Sequence, residues 1–255
     1  MFGKRKTPPP QQPPRDEQPG HAQVLAHLAQ EEAEKPLQRA QLTGSVLFDQ
    51  GCRILQQAGN GVRIENLLAA LASVGGQQCL EPILHALVKQ GKQPQDIGMM
   101  VVKGADGRLY FFGDAPNTPL LESPTSLLGL AFGAAQQLGA PVTLDMIHAE
   151  MAAVAKSVGT GDAFFAFDLP DRHAIDSPLA WAAHFGPAFV ETCDLYRMPP
   201  QQRAAAFGFA LQRAIDAGKH TIDPLMAARI VLGCAVRTAK IDPAYVASVR
   251  SRAAA

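Results

Sequence analysis

The sequence predicts an α+β fold, predominantly helical, with one small antiparallel β-hairpin or three-stranded sheet covered by helices. Three observations carry this. Met99–Gly113 reads MMVVKGADGRLYFFG, two apolar runs at Met99–Lys103 and Arg108–Phe112 around a turn at Gly104-Ala105-Asp106-Gly107, the pattern of a hairpin. Elsewhere apolar residues recur three and four apart, the period of a helix with one buried stripe. Ser177-Pro178, Asp223-Pro224 and Asp242-Pro243 each set a capping side chain before a proline at the first helical position, a strong start signal.

Taken in order, residues 1–20 are rich in Pro, Gln and charge and carry too little apolar surface to fold, so a disordered tail is expected. Its Pro8-Pro9-Pro10 and Pro13-Pro14 runs favour polyproline II. Residues 21–95 read as an N-terminal helical segment. Ile64, Leu67, Leu68, Leu71 and Val74 keep helical spacing until Gly75-Gly76, which is expected to stop the helix. Leu80, Ile83, Leu84, Leu87 and Val88 form the next stripe, with Pro82 in its first turn. Residues 96–255 form an α+β body, with the hairpin at 99–112 and helices after it. One helix runs from about Ser126 to Gln137. The next carries Leu144, Ile147, Met151, Val154 and Val158 on one stripe behind a Thr143 cap. Pro187 is expected to break Pro178–Tyr196 near Gly186, and Gly218 to end the helix bearing Phe207, Leu211, Ala214 and Ile215. Ala163–Leu169, bounded by Gly161-Asp162 and Pro170-Asp171, suits a third strand or a short buried helix; periodicity does not separate the two at this length.

Lys+Arg and Asp+Glu are equal at 23 each. A neutral chain without a basic stripe argues against nucleic acid as a partner. No run approaches the roughly 20 apolar residues that span a bilayer, so no membrane association is expected. The N-terminus has positive charge but no apolar h-region, and the four scattered cysteines, Cys52, Cys79, Cys193 and Cys234, fall in no zinc or redox spacing. A cytoplasmic protein without metal or cofactor is the expectation.

A lone hairpin leaves unpaired strand edges, and near-zero net charge favours association. These features point to a non-enzymatic protein-interaction module (an adaptor, an accessory subunit or a homo-oligomer) with Tyr110 and Phe112 of the hairpin as partner contacts. The alternative is a small-molecule enzyme or ligand-binding protein using residues 159–176. There, Ser157–Phe164 reads SVGTGDAF, which resembles the Gly-Ala-Gly-Asp-x-Phe loop of the ribokinase-like sugar kinases. That resemblance implies Gly159 and Gly161 as an anion cradle and Asp162 as the base. Thr160 stands in place of the family's alanine, and no strand–helix repeat precedes the loop. A helix C-cap at Gly159 followed by a turn explains the same residues. His173, in the polar cluster Asp168, Asp171, Arg172, His173 and Asp176, is the second candidate catalytic side chain. No resemblance to a known family extends over the whole chain.

Overall fold

The computed structural model describes residues 19–253, apart from Asn60. In chain order, α1 (Pro19–Glu31), α2 (Gln38–Gln57) and α3 (Ile64–Gln90) precede a hairpin of β1 (Met100–Lys103) and β2 (Leu109–Phe112). There follow a single turn α4 (Asp114–Asn117), then α5 (Leu127–Gln137), α6 (Leu144–Lys156), α7 (Pro178–Leu195), α8 (Arg203–Gly218), α9 (Pro224–Thr238) and α10 (Pro243–Ala253). The fold is mostly helical with a single two-stranded antiparallel sheet among the described residues, as the sequence predicts. The tail expected at 1–20 lies outside the described residues except for Pro19 and Gly20, which open α1.

α3 is the axis of the molecule. It packs against α2, α7, α8 and α9, while α5 covers α8 and α9, α6 lies on α9 and α10 on α7. Helices from both sides of position 95 share one core, which runs from Ala40 and Leu47 through Leu68, Leu71 and Phe189 to Phe207 and Val231. By length and composition α3 meets the requirement for crossing a membrane, but most of that stretch is buried against its neighbours.

Two expected breaks are absent. Gly75-Gly76 does not end a helix; α3 runs through it to Gly91, which closes it in the left-handed conformation at φ 64°. The glycines mark where other helices come closest. A Cβ on Gly75 would sit 2.3 Å from Leu127 Cδ1 and 2.9 Å from Phe207 Cβ, and one on Gly76 only 2.4 Å from the Ala235 carbonyl oxygen. Burial gained by that approach outweighs the roughly 1 kcal/mol each glycine costs in helix propensity. Pro187 likewise sits inside an unbroken α7. Trp181, Phe185, Phe189 and Cys193, four residues apart and all buried, form one stripe across the proline and hold the helix together. Gly218 does end α8. Its role is again closeness, since a Cβ would meet Ile64 Cγ1 at 2.6 Å.

The start signals act as read. Thr143, Ser126, Ser177 and Asp223 each accept a backbone N–H of the helix they begin, and Asp242 Oδ1 accepts the Ala244 N–H at 2.9 Å. Ala163–Leu169 forms neither a strand nor a regular helix. A 3-10 turn covers Gly161–Phe165, and the residues that follow are irregular. Phe164 and Phe165 are buried as a wedge beneath the hairpin.

Candidate docking edge

The hairpin register pairs Met100 with Phe112, Val101 with Phe111, Val102 with Tyr110 and Lys103 with Leu109. Its turn is closed by the Gly104 N–H on the Arg108 carbonyl at 2.9 Å, with Gly107 at φ 78°. Antiparallel strands alternate inward- and outward-facing backbone groups, so Met100 and Val102 face β2 while Val101 and Lys103 face away. On β2 the outward groups belong to Leu109 and Phe111.

The two edges differ. Phe111 donates its N–H to the Lys240 carbonyl at 2.8 Å, and the Asp242 N–H reaches the Leu109 carbonyl at 3.1 Å. Ile241 thereby bridges Tyr110 from the link between α9 and α10. The third partner of the hairpin is this single bridging residue and not Ala163–Leu169. Along β1, among the described residues, no backbone hydrogen bond from outside the hairpin reaches Val101 or Lys103.

One face of the hairpin lies on the second half of α3: Met99, Val101 and Phe111 meet Leu80, Ile83, Leu84 and Leu87. On the other face Tyr110 stacks edge-on against Phe164 at 4.8 Å between ring centroids, and Phe164 against Phe165 at 5.1 Å. Met100 on β1 is 60% exposed, and Val88 on α3 is 78% exposed. Ile97, also exposed, links the edge to a cavity of about 580 Å³ at the hairpin base, lined by Ile83, Leu87, Ala115 and Pro119.

Tyr110 and Phe112 do not lie on this surface as a pair. Tyr110 is fully buried, so its side chain has no surface to offer a partner. Its hydroxyl donates to Asp106 Oδ2 at 2.7 Å, and burial together with that carboxylate pushes its phenol up to about 12. Phe112 is half-buried, with Lys240 Nζ 5.8 Å from its ring centroid.

The segment 157–162 docks on the hairpin turn. Gly159 and Gly161 are left-handed, at φ 81° and 68°, and a Cβ on Gly159 would press on the Ala105 nitrogen at 2.7 Å. The loop thus packs Gly159 against Gly104 and Ala105, on the turn that also carries Asp106. Burial works to raise the Asp106 carboxyl, but hydrogen bonds from Tyr110, the Arg108 amide and Gly161, with the Arg108 charge, hold it below the usual range. Asp162 is 89% exposed and accepts Arg108 Nη2 at 2.7 Å. The Arg108 guanidinium lies over the Tyr245 ring at 4.3 Å.

His173 is elsewhere in the site geometry. Arg172 Nε donates to its Nε2 at 3.1 Å, which leaves the ring proton on Nδ1 to reach Glu65 Oε1 at 2.9 Å. Burial alone would raise the Glu65 carboxyl; the His173 hydrogen bond, its own backbone contact and Arg63 reverse that and lower it. Asp162 lines a cavity of about 330 Å³ with Phe165, Phe167, Ile175 and Asp176, and His173 is not part of its wall. Sequence reasoning missed Lys240. It is buried, bonds the Asn117 side chain and supplies the carbonyl that closes β2. Its only sequence signal is a lysine directly before a helix-capping Ile-Asp-Pro.

Among the described residues no three His, Cys, Asp or Glu side chains converge so as to hold a metal ion. Comparison with known families, characterised proteins and solved structures found no match.

Proposed function

We propose that this chain is a non-enzymatic protein-interaction module that receives an extended segment of a partner as a further strand along β1. The observation that carries the reading is the asymmetry of the hairpin: β2 is closed by Lys240–Asp242, while the Val101 and Lys103 backbone groups face outward with no partner among the described residues. Strand addition uses such groups for affinity and flanking side chains for choice. The exposed Met100 on β1 and Ile97 just before the strand supply apolar surface for a segment laid there.

Lys103→Pro tests this. It removes an outward N–H at an exposed strand end, where proline is tolerated, and leaves the core face untouched. Tagged wild-type protein recovered from its native lysate should carry a stoichiometric partner that the variant loses at unchanged thermal stability. Equal recovery by a correctly folded variant would defeat the edge reading.

A further inference from the structure

The charges around this edge narrow what it accepts. The chain enters β1 past Lys89 at the end of α3 and Lys92 just beyond it, and the strand ends at Lys103; all three are exposed. From His85 to Lys103 the only carboxylate is Asp96, and it already accepts the Gln93 N–H at 2.7 Å. In a chain that is neutral overall, the segment that leads into and forms this edge thus carries three lysines against one carboxylate, with Lys89 and Lys92 before the strand and Lys103 at its end. Along the strand Val101 faces α3, Met100 and Val102 face the other way, and Val88 stands exposed on α3.

We propose that the β1 edge selects an acidic extended segment of a different protein, with carboxylates flanking a short run of β-branched or other apolar residues. This rests on the strand-addition reading above. The flanking carboxylates would meet Lys103 at one end and Lys89 and Lys92 at the other. A second copy of this chain is disfavoured, because symmetric pairing of two β1 edges brings both sets of lysines together, and like charges across strands repel. Opposite charges facing each other also raise the rate of encounter and make it salt-sensitive.

Three dye-labelled peptides sharing a Val-Thr-Val-Thr-Val centre, flanked by Glu, Gln or Lys, distinguish the possibilities by fluorescence anisotropy. The Glu-flanked peptide should bind about tenfold tighter than the Gln-flanked one, and the Lys-flanked one weakest. That advantage should shrink as salt is raised. It should vanish in the triple variant Lys89→Gln, Lys92→Gln, Lys103→Gln, whose substitutions are all on the surface and whose thermal stability should match wild type. Equal binding of the Glu and Gln peptides, abolished by Lys103→Pro, would overturn the charge selection and leave the edge reading standing. Binding of none of the three would overturn both. Light scattering that shows a dimer lost in Lys103→Pro would make the occupant a second copy and overturn the proposed partner.

Discussion

Lys240→Met should stabilise the protein at neutral pH and flatten its alkaline stability profile. The side chain is 1% exposed, and burial lowers its ammonium from 10.5 to about 8, against Cys79 and Glu122, which draw it upward. The difference, 10.5 minus about 8, is roughly 2.5 pH units, or about 3 kcal/mol of preference for the neutral amine in the folded state. Between those two values the unfolded chain holds a proton that the folded chain has released, so unfolding free energy rises with pH. Below about 8 the whole penalty is present; above 10.5 it is gone. By pH 9 about 1.4 kcal/mol of it should be relieved. The buried thiols of Cys79, Cys193 and Cys234 and the Tyr110 phenol act in the opposite sense at higher pH. Each is held neutral up to about 12 in the fold, so stability falls above their ordinary values of 9.0 and 10.0. Comparing variant with wild type cancels most of that contribution. Urea denaturation of both at pH 7, 8 and 9 reads the effect through the midpoint at constant slope. Methionine gives up the bond to Asn117, worth about 1 kcal/mol, so the variant should lead by about 1–2 kcal/mol at pH 7. That lead should shrink by about 1.4 kcal/mol at pH 9. Parallel pH profiles, or a variant less stable at pH 7, would refute the reasoning.

The two classes of helical glycine should respond oppositely to alanine. Gly75→Ala forces a Cβ against Leu127 and Phe207 and should cost about 2 kcal/mol or more, while Gly133→Ala in α5, with open space around it, should gain about 0.5–1 kcal/mol; thermal melts read both. Asp106→Ala strips the half-buried acceptor of Tyr110 and the Arg108 amide and should destabilise by about 1–3 kcal/mol. Asp162→Ala, which removes only an exposed ion-pair partner, should leave the melting temperature nearly unchanged. Glu65 has a folded value below its ordinary 4.5, so it contributes stability above pH 4.5 that is lost as pH falls through the folded value. Glu65→Gln should therefore lower stability at pH 7 and shrink the loss on acidification, as followed by circular dichroism.

The capping chemistry was legible because it is local. A Ser, Thr or Asp before the first turn satisfies backbone donors two and three residues on, whatever surrounds it. The hairpin was legible for the same reason, down to its turn. Pro82, expected in the first turn of a new helix, lies inside α3 because the Gly75-Gly76 break before it does not occur. Gly75-Gly76 and Pro187 were misleading because their local cost is overridden by partners distant in sequence: Phe207 and Ala235 against α3, and the core that the α7 stripe packs into. Ile241 was invisible as a sheet residue, since a single bridging residue has no periodicity. Tyr110 illustrates the same limit at the candidate site. An aromatic residue on a hairpin reads equally well as surface or core, and only the arrival of Phe164 and Asp106 beside it decides the matter.

The pairing of Leu109 and Phe111 with the stretch ending at Asp242 also sets an order of events during synthesis. The hairpin leaves the ribosome long before the residues that close its second edge. At typical elongation rates that interval is on the order of ten seconds. Throughout it, both borders of the nascent sheet lack their final neighbours, and a chaperone or a neighbouring chain has a wider target than the finished molecule offers. Arrival of the α9–α10 link leaves one unpaired border where there were two, so which edge of the sheet stays open is settled late, by the chain's own C-terminal third.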